Sequence, residues 1–209
     1  EWVVYFKEID MIINTLPFTP LGKKGHDRLI EMGVSPRILY RGSTVHQTLR
    51  KEGIKSFTFI NASYADSCYS KIVHKGSTIT PFIAYSDLVV RLRKFIQEEK
   101  GPAYFYAYMD SLDAMEHEYG RDTDECLTEL SVLSYLLKRE FVGKIDRKAA
   151  KETLLLITSD HGQVNISPEK TIYLNKFRKL ANAFRISEKG KPVLPTGGAR
   201  DVFLHLQPD

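Results

Sequence analysis

Apolar and polar positions along the chain recur with two periods, about 3.6 and about 2 residues, and each change of period marks a new element. TVHQTLRKEG reads as a short helix that Ser43 can cap and that stops at Gly53. KSFTFIN then has the aromatic and β-branched content of a strand. Residues 61–83 are polar, aromatic and without a clear period. Ser86 or Asp87 can cap SDLVVRLRKFIQEEKG, in which Leu88, Leu92, Phe95 and Ile96 share one face before Gly101. AYFYAYMD supplies a further strand, and Asp122 to Phe141 is the longest helical pattern, with Leu127, Leu130, Leu133, Leu137 and Phe141 spaced by three and four. A basic stretch leads from there to the strand ETLLLITSD. Strands separated by amphipathic helices predict an α/β fold, a mainly parallel sheet with helices on both faces. Residues 103–109 and 153–158 are expected to lie side by side in it.

Two of these strands run into acidic segments, and in open parallel sheets the loops beyond the carboxyl ends of strands carry function. AYFYAYMD leads to Asp110, Asp113, Glu116, His117 and Glu118, and TLLLITSD leads to Asp160 and His161. Carboxylate oxygen with imidazole nitrogen is a donor set for zinc, manganese or iron. Taken singly, each loop has a plainer reading. Asp at a strand end caps a turn, Gly162 permits a left-handed bend, and a loop His is a surface residue. The conjunction of Asp plus His after two strands of one sheet favours a metal site.

Size and charge narrow the setting. The 209 residues, 43% hydrophobic and 11% aromatic, suffice for the core of one substantial domain, expected to span 1–209 with 61–83 as an irregular insert. Thirty Lys and Arg face 26 Asp and Glu, and a net charge of +4 spread along the chain gives no support for a nucleic-acid binder. Cys68 and Cys126 lack metal-type spacing and read as small buried side chains. No run has the length of a membrane span, and no basic start precedes an apolar core, so a cytoplasmic protein without membrane contact is the expectation. The opening EWVVYFKEIDMII begins abruptly in apolar sequence without an initiator Met, which reads as a piece of something longer.

DAMEHEYG, with Asp, three residues, His, two residues and Gly, together with TSDHG, resembles the paired motifs of the type I phosphodiesterases and nucleotide pyrophosphatases of the alkaline phosphatase superfamily. The order of the motifs and their separation by one long helix strengthen the likeness. EWVVYFKEIDMIINTLPF also looks like the segment that follows the nucleophile region in some prokaryotic members, which extends the resemblance to nearly the whole chain. The resemblance implies an alkaline-phosphatase-like core, here incomplete, and a site for two divalent cations. Zinc is the first expectation, with manganese or iron as alternatives. Asp113 and His117 would serve one cation, and Asp160 and His161 the other. Two cations about 4 Å apart lower the pKa of a hydroxyl nucleophile and stabilise the attacking and leaving oxygens of an in-line displacement.

The family's early Asp and its Thr or Ser nucleophile have no convincing substitute in residues 1–30, so this chain is expected to be inactive alone and to hold no metal, or one loosely. The family's distant His could be sought in His205, but VFLHL reads as a strand that leaves His205 at a core edge or on the surface. Asp110 is either a partner that orients a ligating His or a turn cap. Tyr104, Phe105, Tyr106 and Tyr108 suit a buried strand better than a base-stacking platform. Arg200 is either a phosphate contact or a solvated loop charge. Tyr64, Tyr69, Lys71, His74 and Lys75 either line a leaving-group pocket or cover the sheet edge.

The leading functional reading is therefore a metal-dependent hydrolase of phosphodiester or pyrophosphate bonds acting on a small phosphate ester such as a nucleotide. The same cage serves phosphomonoesterases, sulfatases and phosphoglycerate mutases. A non-catalytic binding module is the alternative of another class.

Overall fold

A computed structural model describes residues 2–198 and 201–208. In chain order its elements are β1 (Val3–Phe6), β2 (Met11–Asn14), β3 (Thr19–Pro20), α1 (Arg28–Glu31), α2 (Val45–Lys51), β4 (Lys55–Asn61), α3 (Cys68–Val73), β5 (Thr78–Phe82), α4 (Tyr85–Glu98), β6 (Ala103–Ala107), α5 (Ser111–Tyr119), α6 (Asp124–Tyr135), α7 (Arg147–Glu152), α8 (Arg178–Ala183), β7 (Thr196–Gly197) and β8 (Val202–Phe203). They form two compact units: Glu1–Gly42 with Ser67–Val73 and Pro168–Asp209, and Ser43–Asp66 with His74–Ser167. No helix among the described residues is long and apolar enough to cross a membrane.

The first unit is built on an antiparallel meander, β1-β2-β3. Ile13, Phe18 and Leu29 are fully buried in it with Cys68, and Val34, Ile38 and Leu39 pack against them. Asp10 turns the chain between β1 and β2 at φ 46 and accepts a 2.5 Å hydrogen bond from Tyr5 Oη. The strand expected in VFLHL shrinks to the two residues of β8, paired with β7. His205 lies half-buried beside it, its Nε2 2.9 Å from Thr196 Oγ1 and its ring against Tyr5, which is the core-edge place expected of it.

The second unit holds a parallel sheet in the order β5-β4-β6. Because side chains alternate along β4, its two faces differ in kind. Phe57 and Phe59 join Phe82, Phe105, Leu88, Val89 and Leu92 beneath α4, with Phe141 from the π-helical turn Leu136–Val142. On the other face, under α2, Ser56 Oγ meets His46 Nδ1 at 2.5 Å and Thr58 accepts from Ser77 Oγ at 2.6 Å. Helices thus cover both faces, as the alternation predicts. α2 is capped by Thr44 rather than Ser43. The Thr44 hydroxyl and the Gln47 side chain cap each other's backbone N–H groups, and Gly53 at φ 75 ends the turn.

Larger expectations fail too, each for a physical reason. The span 61–83 contains α3 and the sheet strand β5. Pro81 hides that strand from periodicity, and it is tolerated because β5 lies at the sheet edge, where a missing N–H breaks no ladder. The segment after AYFYAYMD is the helix α5 rather than a loop. Residues 153–158 form no strand at all and do not lie beside β6 in the sheet. Leu154, Leu156 and Ile157 are 81%, 77% and 73% exposed. Apolar, β-branched composition describes fit to a pleated surface, and without a ladder partner it does not make a strand. Leu127 and Leu130 of the long helical pattern are likewise exposed, while Cys126, Leu133 and Phe141 are buried.

Candidate functional site

At the carboxyl end of β6 the ladder continues one step, with Tyr108 N donating to Phe59 O at 3.0 Å, and the chain then turns at Asp110 into α5. Asp113 occupies the first turn of this helix and His117 the last, an acid-first, base-last order that suits the helix dipole. Four residues apart, they share a face, and His117 Nε2 stands 3.5 Å from Asp113 Oδ1. Gly120, at φ 90, ends the helix where a side chain would be strained.

The second cluster reaches the first from residues 160–163. His161 Nε2 is 4.0 Å from Asp113 Oδ1 and 3.8 Å from Asp160 Oδ2. His161 Nδ1 faces the Gly162 carbonyl at 3.3 Å. A carbonyl only accepts, so Nδ1 is the donor in that contact, and Nε2 is the ring nitrogen that faces the carboxylates. Gln163 Nε2 donates to Asp113 Oδ1 at 2.9 Å, Arg121 Nη1 to Gln163 O at 3.3 Å, and Asn165 Nδ2 to Asp122 Oδ2 at 2.9 Å. The TSDHG segment is therefore tied to α5 and the turn after it through its far end, although no strand precedes it.

Asp113 is the hub for the two histidines, and Asp160 is linked to it only through His161. All four are partly open to solvent, with side-chain exposures from 44% for Asp113 to 68% for Asp160. Among the described residues no group of three or more His, Cys, Asp or Glu is disposed to hold one ion. The donors suit a divalent cation by chemistry and come as pairs.

Around them lies a ring of tyrosines that periodicity did not single out. Tyr85 Oη donates to Asp110 Oδ1 at 2.6 Å and Tyr64 Oη to Asp110 Oδ2 at 3.1 Å. Burial, joined by the Asp110 carboxylate, raises both phenols, that of Tyr85 to about 12. Burial also raises Tyr108, and the carboxylates of Asp160, Asp113 and Asp110 add to the effect. Asp110 itself makes no side-chain cap, so its expected capping role is not the one it plays. Tyr64 was a candidate for a leaving-group pocket or an edge cover rather than a partner of Asp110, and the sequence signal for Tyr85 is its place at the start of α4, beside the sheet's carboxyl ends. Arg200 lies outside the described residues. A cavity of about 490 Å³ opens at the other, amino ends of β4 and β5, lined by Arg50, Lys55 and Ser77, and no expected ligand borders it.

Beyond this geometry, the sequence model of the type I phosphodiesterase / nucleotide pyrophosphatase family matches residues 21–209, and the chain belongs to that family. The parallel sheet with its flanking helices is accordingly part of an alkaline-phosphatase-like core. The chain is also 24% identical over 148 residues to human ectonucleotide pyrophosphatase/phosphodiesterase family member 1, covering 66% of this chain. It spans 15% of that relative's length. No solved structure matches the chain.

Proposed function

We propose that the chain contributes to a metal-dependent hydrolase of phosphodiester or pyrophosphate bonds, with Asp113 and His117 ligating one divalent cation and Asp160 and His161 the other. The observation that carries this reading is the approach of two imidazole Nε2 atoms, from separate segments, to one oxygen of Asp113. Family membership supports the reaction class, and the relative's name adds nucleotide pyrophosphatase and phosphodiesterase to the support. Zinc is the proposed metal, since carboxylate and neutral imidazole are donors it accepts. Bound there, a divalent cation would polarise the phosphoryl oxygens and stabilise a developing alkoxide.

The chain's own residues hold the donors ready. Gln163 fixes one oxygen of Asp113, and the Gly162 carbonyl stands beside His161 Nδ1 and helps to orient the ring. The substrate is proposed to be a small phosphate ester, a nucleotide among them, approaching over the exposed Asp160 and His117 side. The nucleophile is assigned to no residue here.

Calorimetric titration of the chain with zinc and with manganese tests the reading. Weak binding that both His117→Ala and His161→Ala diminish is the expected result. Tight binding indifferent to both would place the metal elsewhere. Comparing an aryl phosphodiester with an aryl phosphomonoester as substrates then separates diesterase from monoesterase chemistry.

A further inference from the structure

The junction between β6 and α5 is held by contacts that metal ligation does not use. Asp110 stands at the residue before α5, where an Asp side chain commonly caps the helix, yet it caps nothing. Both of its oxygens are taken instead, Oδ1 by Tyr85 Oη and Oδ2 by Tyr64 Oη. The Tyr85 oxygen in turn accepts from Ser111 N at 2.6 Å, so the phenol satisfies the first free amide of α5. Ser111 Oγ donates to Glu129 and ties the same residue to α6.

Tyr64 lies just after β4 and Tyr85 opens α4, so the carboxyl-end rim of the sheet grips one carboxylate from two directions. Both tyrosines are protonated donors across the neutral range, and each donates to a separate oxygen of Asp110. Asp113 follows three residues later, about one turn along the helix. The direction in which α5 leaves the sheet therefore decides where the Asp113 and His117 side chains meet the incoming His161.

We infer that Asp110, clamped by Tyr64 and Tyr85, is a positioning residue for the Asp113–His117 pair, fixing the launch of α5 so that this pair faces His161. The inference rests on the proposal that the pair ligates a cation. It assigns Asp110 no contact with metal or substrate.

The test uses the whole chain with Tyr64→Phe, Tyr85→Phe, the double variant and Asp110→Ala. Zinc affinity is read by calorimetry, and amide exchange at Ser111 to Ala114 is read in the metal-free protein. The expected result is zinc affinity weakened about tenfold or more in the double variant and in Asp110→Ala, as is usual when a ligand loses its orienting partner. Exchange at residues 111–114 should quicken while the β4 amides stay protected. Asp110→Asn, which keeps one acceptor, should recover part of the affinity. His161→Ala should weaken zinc without changing exchange at 111–114. Zinc affinity within twofold of the unaltered chain in the double variant overturns the inference whatever the exchange shows, because the clamp would then be structural only. If the unaltered chain binds no zinc, the proposed ligand role fails first, and unchanged exchange in the variants separately removes the clamp.

Discussion

AYFYAYMD and TLLLITSD look alike in sequence, an apolar run ending in an acid, and the protein treats them differently. The first is a strand with a full ladder to β4 and a ring stacked on Phe57. The second is extended chain with its leucines in solvent, tied at one end by Thr153 Oγ1 to Ala149 O and at the other by Gln163 to Asp113 and Arg121. The difference lies in partners rather than composition. β6 has β4 beside it, whereas no described strand pairs with residues 153–158. Half of the candidate site thus rests on a rigid layer, and the other half reaches it through side chains. Unequal sensitivity of the two halves to substitution follows.

The largest effect is expected beneath the ordered half. Phe59 is fully buried on the central strand and meets Phe95 edge-on at 5.4 Å. Phe59→Ala should cost about 3–5 kcal/mol of stability, the range for emptying a buried aromatic site. Chemical denaturation reads this directly. A loss below about 1 kcal/mol would mean that the sheet is not the rigid support described.

Next is the contrast between the two acids. Asp113 is approached by His117, His161 and Gln163, while Asp160 is approached by His161 and is the more exposed. Asp113→Ala should weaken zinc binding about a hundredfold, and Asp160→Ala roughly tenfold, because second partners and shielding count for as much as the ligand itself. Equal losses would show the two halves to be equivalent in solution.

How far the sequence foretold this molecule varies with the kind of information each feature needs. β4 came out residue for residue, because KSFTFIN is a central strand packed on both faces and its composition, not its neighbours, identifies it. Motif spacing singled out Asp113, His117, Asp160 and His161, and the structure places His117 and His161 beside Asp113 and Asp160 beside His161, while their role as ligands stays a proposal. β5 was lost to Pro81, whose edge position no periodicity can show. The Tyr64–Asp110–Tyr85 clamp was equally hidden, since its members are 46 and 25 residues from Asp110 and only the parallel topology makes them neighbours. The fate of residues 153–158 depends on a partner strand, which local sequence does not encode.

A third, smaller effect comes with acid. On the polar face of the sheet, His46 and His74 face each other at 3.4 Å, with His46 also against the Tyr104 ring and His74 against Tyr106 of β6. Burial lowers both imidazoles, and His46 nearby adds to the lowering at His74, which falls to about 4. The unfolded chain, with His near 6.5, binds more protons than the folded one throughout this window. Stability is therefore complete above about pH 6.5 and is lost as pH falls toward about 4, by on the order of 1–2 kcal/mol. Urea midpoints at neutral and acid pH measure it, and His74→Gln should flatten the curve. A pH dependence unchanged by that substitution would assign the loss to other groups.

The smallest effect is expected in the second run, and it tests the comparison most sharply. Leu156 is 77% exposed and Leu154 81%. An apolar side chain left in water contributes almost nothing to folding, since the stabilising quantity is area removed from water. Leu156→Ser should shift stability by less than about 0.5 kcal/mol, as surface substitutions generally do, against several for Phe59→Ala. It should also leave zinc affinity unaltered, because the link from this segment to the site runs through Gln163 and His161 rather than through the leucines. The control is Gln163→Ala, which removes a 2.9 Å hydrogen bond to Asp113 and should weaken zinc by a few fold without moving the denaturation midpoint. A cost for Leu156→Ser of 2 kcal/mol or more, the scale of a buried leucine, would show that residues 153–158 are packed in solution as β6 is, and the contrast between the two runs would fall.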